Sequence, residues 1–107
     1  MSLREPNKVD LVARTKGSSD YMLVIVVDEP WQDSDEFRSL ILEKLNNYCS
    51  YFLDGQMRRE YPDCTQTRIC VRLSSTQRIP EHARVYISEL ADAFKEHGLD
   101  VETKELV

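Results

Sequence analysis

Glycine is scarce in this chain, with three in 107 residues, which excludes phosphate-cradling loops that need several glycines close together. Cysteine is equally sparse. Cys49, Cys64 and Cys70 are odd in number and form no C-x-x-C pair, so neither a disulfide framework nor a thiolate zinc site is expected. The two histidines, His82 and His97, lie too far apart for an H-x-x-x-H pair. No serine sits in a nucleophile elbow. Long apolar runs are missing as well: Tyr21–Val27 is far short of a membrane span, and the first residues lack the apolar core of a signal peptide. Positive charge is in deficit, with a net charge of −5 and a pI near 5.0. A nucleic-acid partner is therefore not expected, since such binding rests on neutralising phosphates. The expectation is a cytoplasmic protein with no membrane and no nucleic-acid partner.

What is present is ordinary for a folded domain: 41% apolar and 31% charged residues. One domain over residues 1–107 is expected, with residues 1–7 disordered or partly a cloning remnant. Val9 to Thr15 alternates as a half-buried strand, and the turn cluster Lys16–Asp20 joins it in a hairpin to Tyr21–Val27. The second strand is apolar on both faces, so it belongs in the sheet centre. Asp33 and Glu36 have the spacing of a capping box, opening a helix that Gly55 ends. On that helix, apolar side chains from Leu40 round to Leu53, Leu42 and Cys49 among them, sweep about 220°, wider than one covered stripe. Lys44 falls inside the arc and is expected to snorkel.

Gln56–Tyr61 has the length of a short extra strand, and Thr67–Leu73 alternates clearly. Pro80 suits the first position of a second helix, which Gly98 ends, and Asp100–Leu106 completes a last strand. The order is β-β-α-(β)-β-α-β. The expected fold is α/β (α+β): a two-layer sandwich in which two helices cover one face of a mixed four- to five-stranded sheet.

Candidate chemistry is thin. Asp28, Glu29, Asp33, Asp35 and Glu36 can supply oxygen ligands to a divalent cation, but three of them already serve the helix cap and dipole. No metal, no cofactor and no catalytic residue is expected. Cys70 shares the outer sheet face with Arg68 and Arg72, which would favour a thiolate, yet no histidine or acid partner is indicated. Trp31 is either an interface anchor or an aromatic lid packed beside Phe37, and the lid is expected. Arg58, Arg59 and Tyr61 make a basic, aromatic loop able to hold an anion or an acidic partner. Val12, Met22, Val24 and Val26 are expected as the apolar centre of the outer sheet face.

The start Pro6-Asn7-x-Val9-Asp10-Leu11-Val12, the Trp31-x-Asp33 loop, the run Glu43-Lys44-Leu45-Asn46-x-Tyr48, the helix end Phe52-x-x-Gly55-Gln56 and Tyr61-Pro62 together resemble a family of small bacterial proteins known only as a domain of unknown function. The resemblance implies a bacterial, cytoplasmic, single-domain protein and carries over no catalytic or binding residue.

Two functions are weighed. The first is a non-catalytic protein-interaction module and homodimer, in an immunity-type or antitoxin-type form that meets a basic protein partner. Its candidate surface is Trp31, Asp28, Glu29, Arg58, Arg59, Tyr61, Val24, Arg68 and Arg72. The alternative is a small-molecule or divalent-metal-binding domain with weak hydrolase activity, centred on the Asp28–Glu36 loop.

Overall fold

The apolar run of Tyr21–Val27 forms strand β2, and the sheet grows outward from it. The computed structural model describes residues 11–14 and 20–106. Residues 1–7, the first residues of the expected first strand and most of the Lys16–Asp20 turn lie outside the described residues. Strand β1 is Leu11–Arg14, paired antiparallel to β2 with Leu11 opposite Val24. Strand β3 (Ile69–Ser75) runs parallel to β2, and β4 (Leu99–Glu105) runs parallel to β3. The described sheet is therefore mixed and four-stranded, in the order β1-β2-β3-β4.

Each parallel connection needs a helical crossover. Helix α1 (Asp35–Leu53) follows β2, and α3 (Glu81–Lys95) joins β3 to β4. Both cover the face that carries Leu23, Ile25, Val27, Ile69, Val71 and Leu73, all at most 1% exposed. The expected two-layer α/β sandwich is what the chain forms.

Several local expectations change. Gln56–Tyr61 is no strand: Gln56–Glu60 is a third, short helix, α2. Gly55 at φ +86° redirects the chain, Met57 is the single buried anchor, and Gln-Met-Arg-Arg-Glu are helix formers without alternation. The cap of α1 is Ser34, not Asp33, and its Oγ accepts from the Phe37 N–H at 3.2 Å. Asp33 and Asp35 instead accept from the Arg38 guanidinium at 2.8 and 2.6 Å. Pro80 stands one place earlier than expected, as the cap of α3 with extended ψ. Strand β3 begins two residues late, at Ile69, because Gln66 holds the chain just before it. The Gln66 side-chain amide accepts from the Tyr21 N–H and donates to the carbonyls of Tyr21 (3.1 Å) and Arg68 (3.2 Å). A side chain thus continues the backbone ladder between the starts of β2 and β3.

Lys44 does not snorkel. It is fully buried, its Nζ 5.6 Å from the centre of the Tyr48 ring. The outer sheet face also differs from expectation. Antiparallel partners share a face, so Val12, opposite Leu23, packs into the helix-side core, while Leu11 and Ala13 join the outer face. Val24 points outward yet is only 6% exposed.

Candidate interaction surface

The helices α1 and α3 meet at one end and part at the other. Near their N-termini the Tyr86 hydroxyl donates to the Arg38 carbonyl at 3.0 Å, with the Arg38 guanidinium 6.0 Å from the Tyr86 ring. Toward their C-termini an open groove of about 510 Å³ separates them. Its walls are Leu42, Cys49 and Leu53 from α1 against Leu90 and Phe94 from α3 and His97 just beyond it. Leu42 and Leu53 remain 37% and 53% exposed. The apolar arc of α1 thus has two fates. The part from Phe37 through Tyr48 to Phe52 is buried, and the flank that carries Leu42, Cys49 and Leu53 lines the groove.

Carboxylates border this groove. Asp54 lines its α1 end. Burial raises the pKa of the Cys49 thiol, and the Asp54 charge adds to that rise. Burial likewise raises the Tyr86 hydroxyl, with Arg38 opposing the rise and Glu89 adding to it; on helical projection Glu89 lies one residue step from the groove-lining Leu90. On helical projection Glu43 and Glu96 fall within about one residue step of the same edges. All four are exposed, and among the described residues no lysine or arginine lines the groove.

The residues expected to interact are scattered by the fold. Trp31 packs: its ring lies 5.5 Å from that of Phe37, and its indole N–H donates to the Ser75 Oγ at 2.8 Å. Ser75 is fully buried and is held in turn by Gln77, donating to its carbonyl at 2.6 Å and accepting from its N–H at 3.1 Å. Asp28 is exposed, whereas Glu29 is turned inward at 8% exposure. The acidic loop therefore does not converge, since Arg38 occupies Asp33 and Asp35. Among the described residues no group of three or more histidine, cysteine or acidic side chains is placed to hold a metal ion.

The basic loop is likewise engaged. Arg58 donates to the Gln66 carbonyl at 3.0 Å and lies 5.8 Å from the Phe52 ring, while Tyr61 packs 5.1 Å from the Tyr21 ring. Arg59 is exposed. Asp63, just beyond, accepts from the Tyr21 hydroxyl at 2.6 Å and pairs with Arg14, which also donates to that hydroxyl at 3.0 Å. The Tyr21 hydrogen bond first, and Arg14 after it, hold the Asp63 carboxyl below its usual range.

On the outer face, neighbouring strands pair their charges. Arg68 holds Asp100 at 2.8 Å, and Arg72 holds Glu102 at 3.0 Å. The arginines beside Cys70 therefore do not activate it. Its thiol donates to the Glu102 carboxylate at 3.1 Å, and burial together with that carboxylate pushes its pKa up to about 12. A thiol so held is a poor nucleophile at neutral pH.

Fold and site together define a small two-layer α/β domain with an open apolar groove between its helices. The chain belongs to the family of unknown function DUF6572, whose pattern it matches over residues 1–106. No curated protein and no solved structure matches it. The groove is the surface the sequence reading missed as a site. Its signal was there in the excess width of the α1 arc, but whether α3 closed over that excess depended on how far apart the helices sit.

Proposed function

We propose that the protein acts by binding another polypeptide through the groove between α1 and α3, without catalysis. The observation that carries this reading is the exposure of Leu42 and Leu53 in an open, largely apolar channel between α1 and α3. The acid balance of the chain suits a basic partner, as an immunity-type or antitoxin-type protein would need. A photo-reactive benzophenone side chain at position 53 tests the reading in cells. Discrete protein adducts are expected there and not at position 85, on the solvent side of α3, and Leu90→Asp should abolish them. Equal adducts at both positions, or none, would remove this function.

A homodimer is a second reading, favoured by the outer sheet face, where Leu11 is 51% exposed beside Ala13 and near half-buried Met22 and Val26. Light scattering after size exclusion should then give about twice the 12.5 kDa chain mass. Leu11→Lys should return it to the mass of one chain. A single-chain mass at high concentration rules the dimer out.

A further inference from the structure

We propose that the groove takes an amphipathic helix of a partner protein whose apolar stripe is flanked by lysine or arginine; this rests on the protein-binding reading above and names the partner's chemistry. Three observations converge on that occupant.

The first is length. From Leu42 to Leu53 the α1 wall rises about 17 Å at the α-helical step, enough for about three turns of a helix laid along it. The second is the lining. Leu42, Leu53, Leu90 and Phe94 offer aliphatic and aromatic surface to side chains repeating at helical spacing. The third is charge. Glu43 and Asp54 border one edge, Glu89 and Glu96 the other, and among the described residues no ion pair engages any of the four. Every other patch of opposed charge described above is already paired within the chain. These four carboxylates stand together along the groove, open to a cation from outside.

The same rim disfavours a second copy of this chain. A two-fold pairing through the groove would set acidic edges against each other, and like charges placed face to face oppose association. A small apolar molecule would use the walls but leave the rim without a role.

The test uses the isotope-labelled full chain and two synthetic helical peptides with the same leucine stripe, one flanked by lysines and the other by glutamates. Fluorescence anisotropy reads affinity, and amide chemical shifts read location. The lysine peptide is expected to bind at least about tenfold tighter than its glutamate twin, to weaken with added salt, and to shift the amides of Leu42, Cys49, Leu53 and Leu90. Combining Glu43→Gln, Asp54→Asn, Glu89→Gln and Glu96→Gln should erase that preference. All four sites are exposed, so the variant should stay folded. Equal binding of both peptides, binding of neither, or shifts confined to the outer sheet face overturns the inference. So do groove shifts that depend on protein concentration alone, which mark a second copy, or groove shifts with octanol where neither peptide binds, which mark a small apolar ligand. Adducts at position 53 that persist in the neutralised chain would sink the charge argument while leaving the protein-binding reading intact. Their absence from the native chain removes the reading itself.

Discussion

Trp31 shows how one side chain closes the open end of a parallel sheet. Its ring covers Phe37 on the first turn of α1, and its N–H reaches Ser75 at the end of β3, so it ties the loop after β2 to two elements at once. Trp31→Ala removes that cover and one of the two hydrogen bonds the Ser75 hydroxyl accepts, leaving its bonds to Gln77 in place. Because the ring is half-buried, the cost should be about 2–4 kcal/mol, toward the lower part of the range for large aromatic truncations. Urea unfolding measures it, and the native fluorescence should be blue-shifted from that of tryptophan in water. A loss below about 0.5 kcal/mol, typical of surface changes, would mean the ring does not pack this way. Cys70 is the opposite case, a residue whose sequence neighbours mislead. Its thiol pKa is raised in the folded state, so the stability it contributes is fully present below the ordinary value of 9.0 and is lost as pH climbs toward about 12. At pH 8, iodoacetamide should modify Cys70 at least about tenfold more slowly in the folded than in the unfolded chain. Peptide mapping by mass spectrometry separates it from Cys49 and Cys64. Glu102→Gln should quicken the folded reaction, because the carboxylate that opposes thiolate formation is gone.

At the scale of elements, the junction of β2 with β3 depends on a side chain from outside both strands. Gln66 supplies three hydrogen bonds where the backbone ladder has not yet begun. Gln66→Ala should cost about 1–3 kcal/mol, the penalty for leaving partly buried peptide groups unpaired. Its distinguishing sign is local: amide exchange should accelerate at Tyr21 more than at Ile25. Uniform acceleration along β2 would show that the contact is not confined to the strand start. The same junction explains why β3 was expected two residues early. Alternation in Thr67–Leu73 is real, but Arg68 is drawn toward Asp100 and the end of α3, where it donates to the Lys95 carbonyl at 3.0 Å. Gly98 packs beside this segment in a left-handed conformation, and a Cβ there would meet the Thr67 carbonyl oxygen at 3.3 Å. Periodicity shows which face a residue takes, and tertiary hydrogen bonds decide where pairing begins.

At the scale of the whole molecule, ion pairs across the sheet set the response to acid. Asp63 is held low chiefly by the Tyr21 hydroxyl, Asp100 by Arg68, and Glu102 by the Cys70 thiol and then Arg72. A carboxyl whose folded pKa is depressed contributes stability that is present above its unfolded value and lost as pH falls through the lower folded value. Stability should therefore decline as pH drops below the ordinary carboxylate range near 4. Asp63→Asn should flatten part of that acid limb and leave the alkaline limb unchanged, as read by thermal unfolding across pH. An acid limb identical to that of the native chain would show that the Asp63 cluster is not coupled to folding. The effect should be modest, because these groups are largely open to solvent and salt screens them.

By itself the sequence determined the two-layer sandwich. The unbroken apolar run of Tyr21–Val27 required a central strand, the stripe Ala83–Ile87–Phe94 required a helix over the sheet, and the glycines at 55 and 98 ended their helices. These are signals of one element, carried by periods of two and 3.6 residues. Tertiary structure decided what depends on distances between elements. It gave the helix cap to Ser34 and clamped Asp33 and Asp35 on Arg38, aimed the Cys70 thiol at the Glu102 carboxylate, and buried completely the Lys44 side chain that was expected to snorkel out of the apolar arc. It also left the flank of α1 uncovered. A 220° apolar arc states how much surface a helix must hide; only the spacing of α1 and α3 states how much of it stays open to a partner.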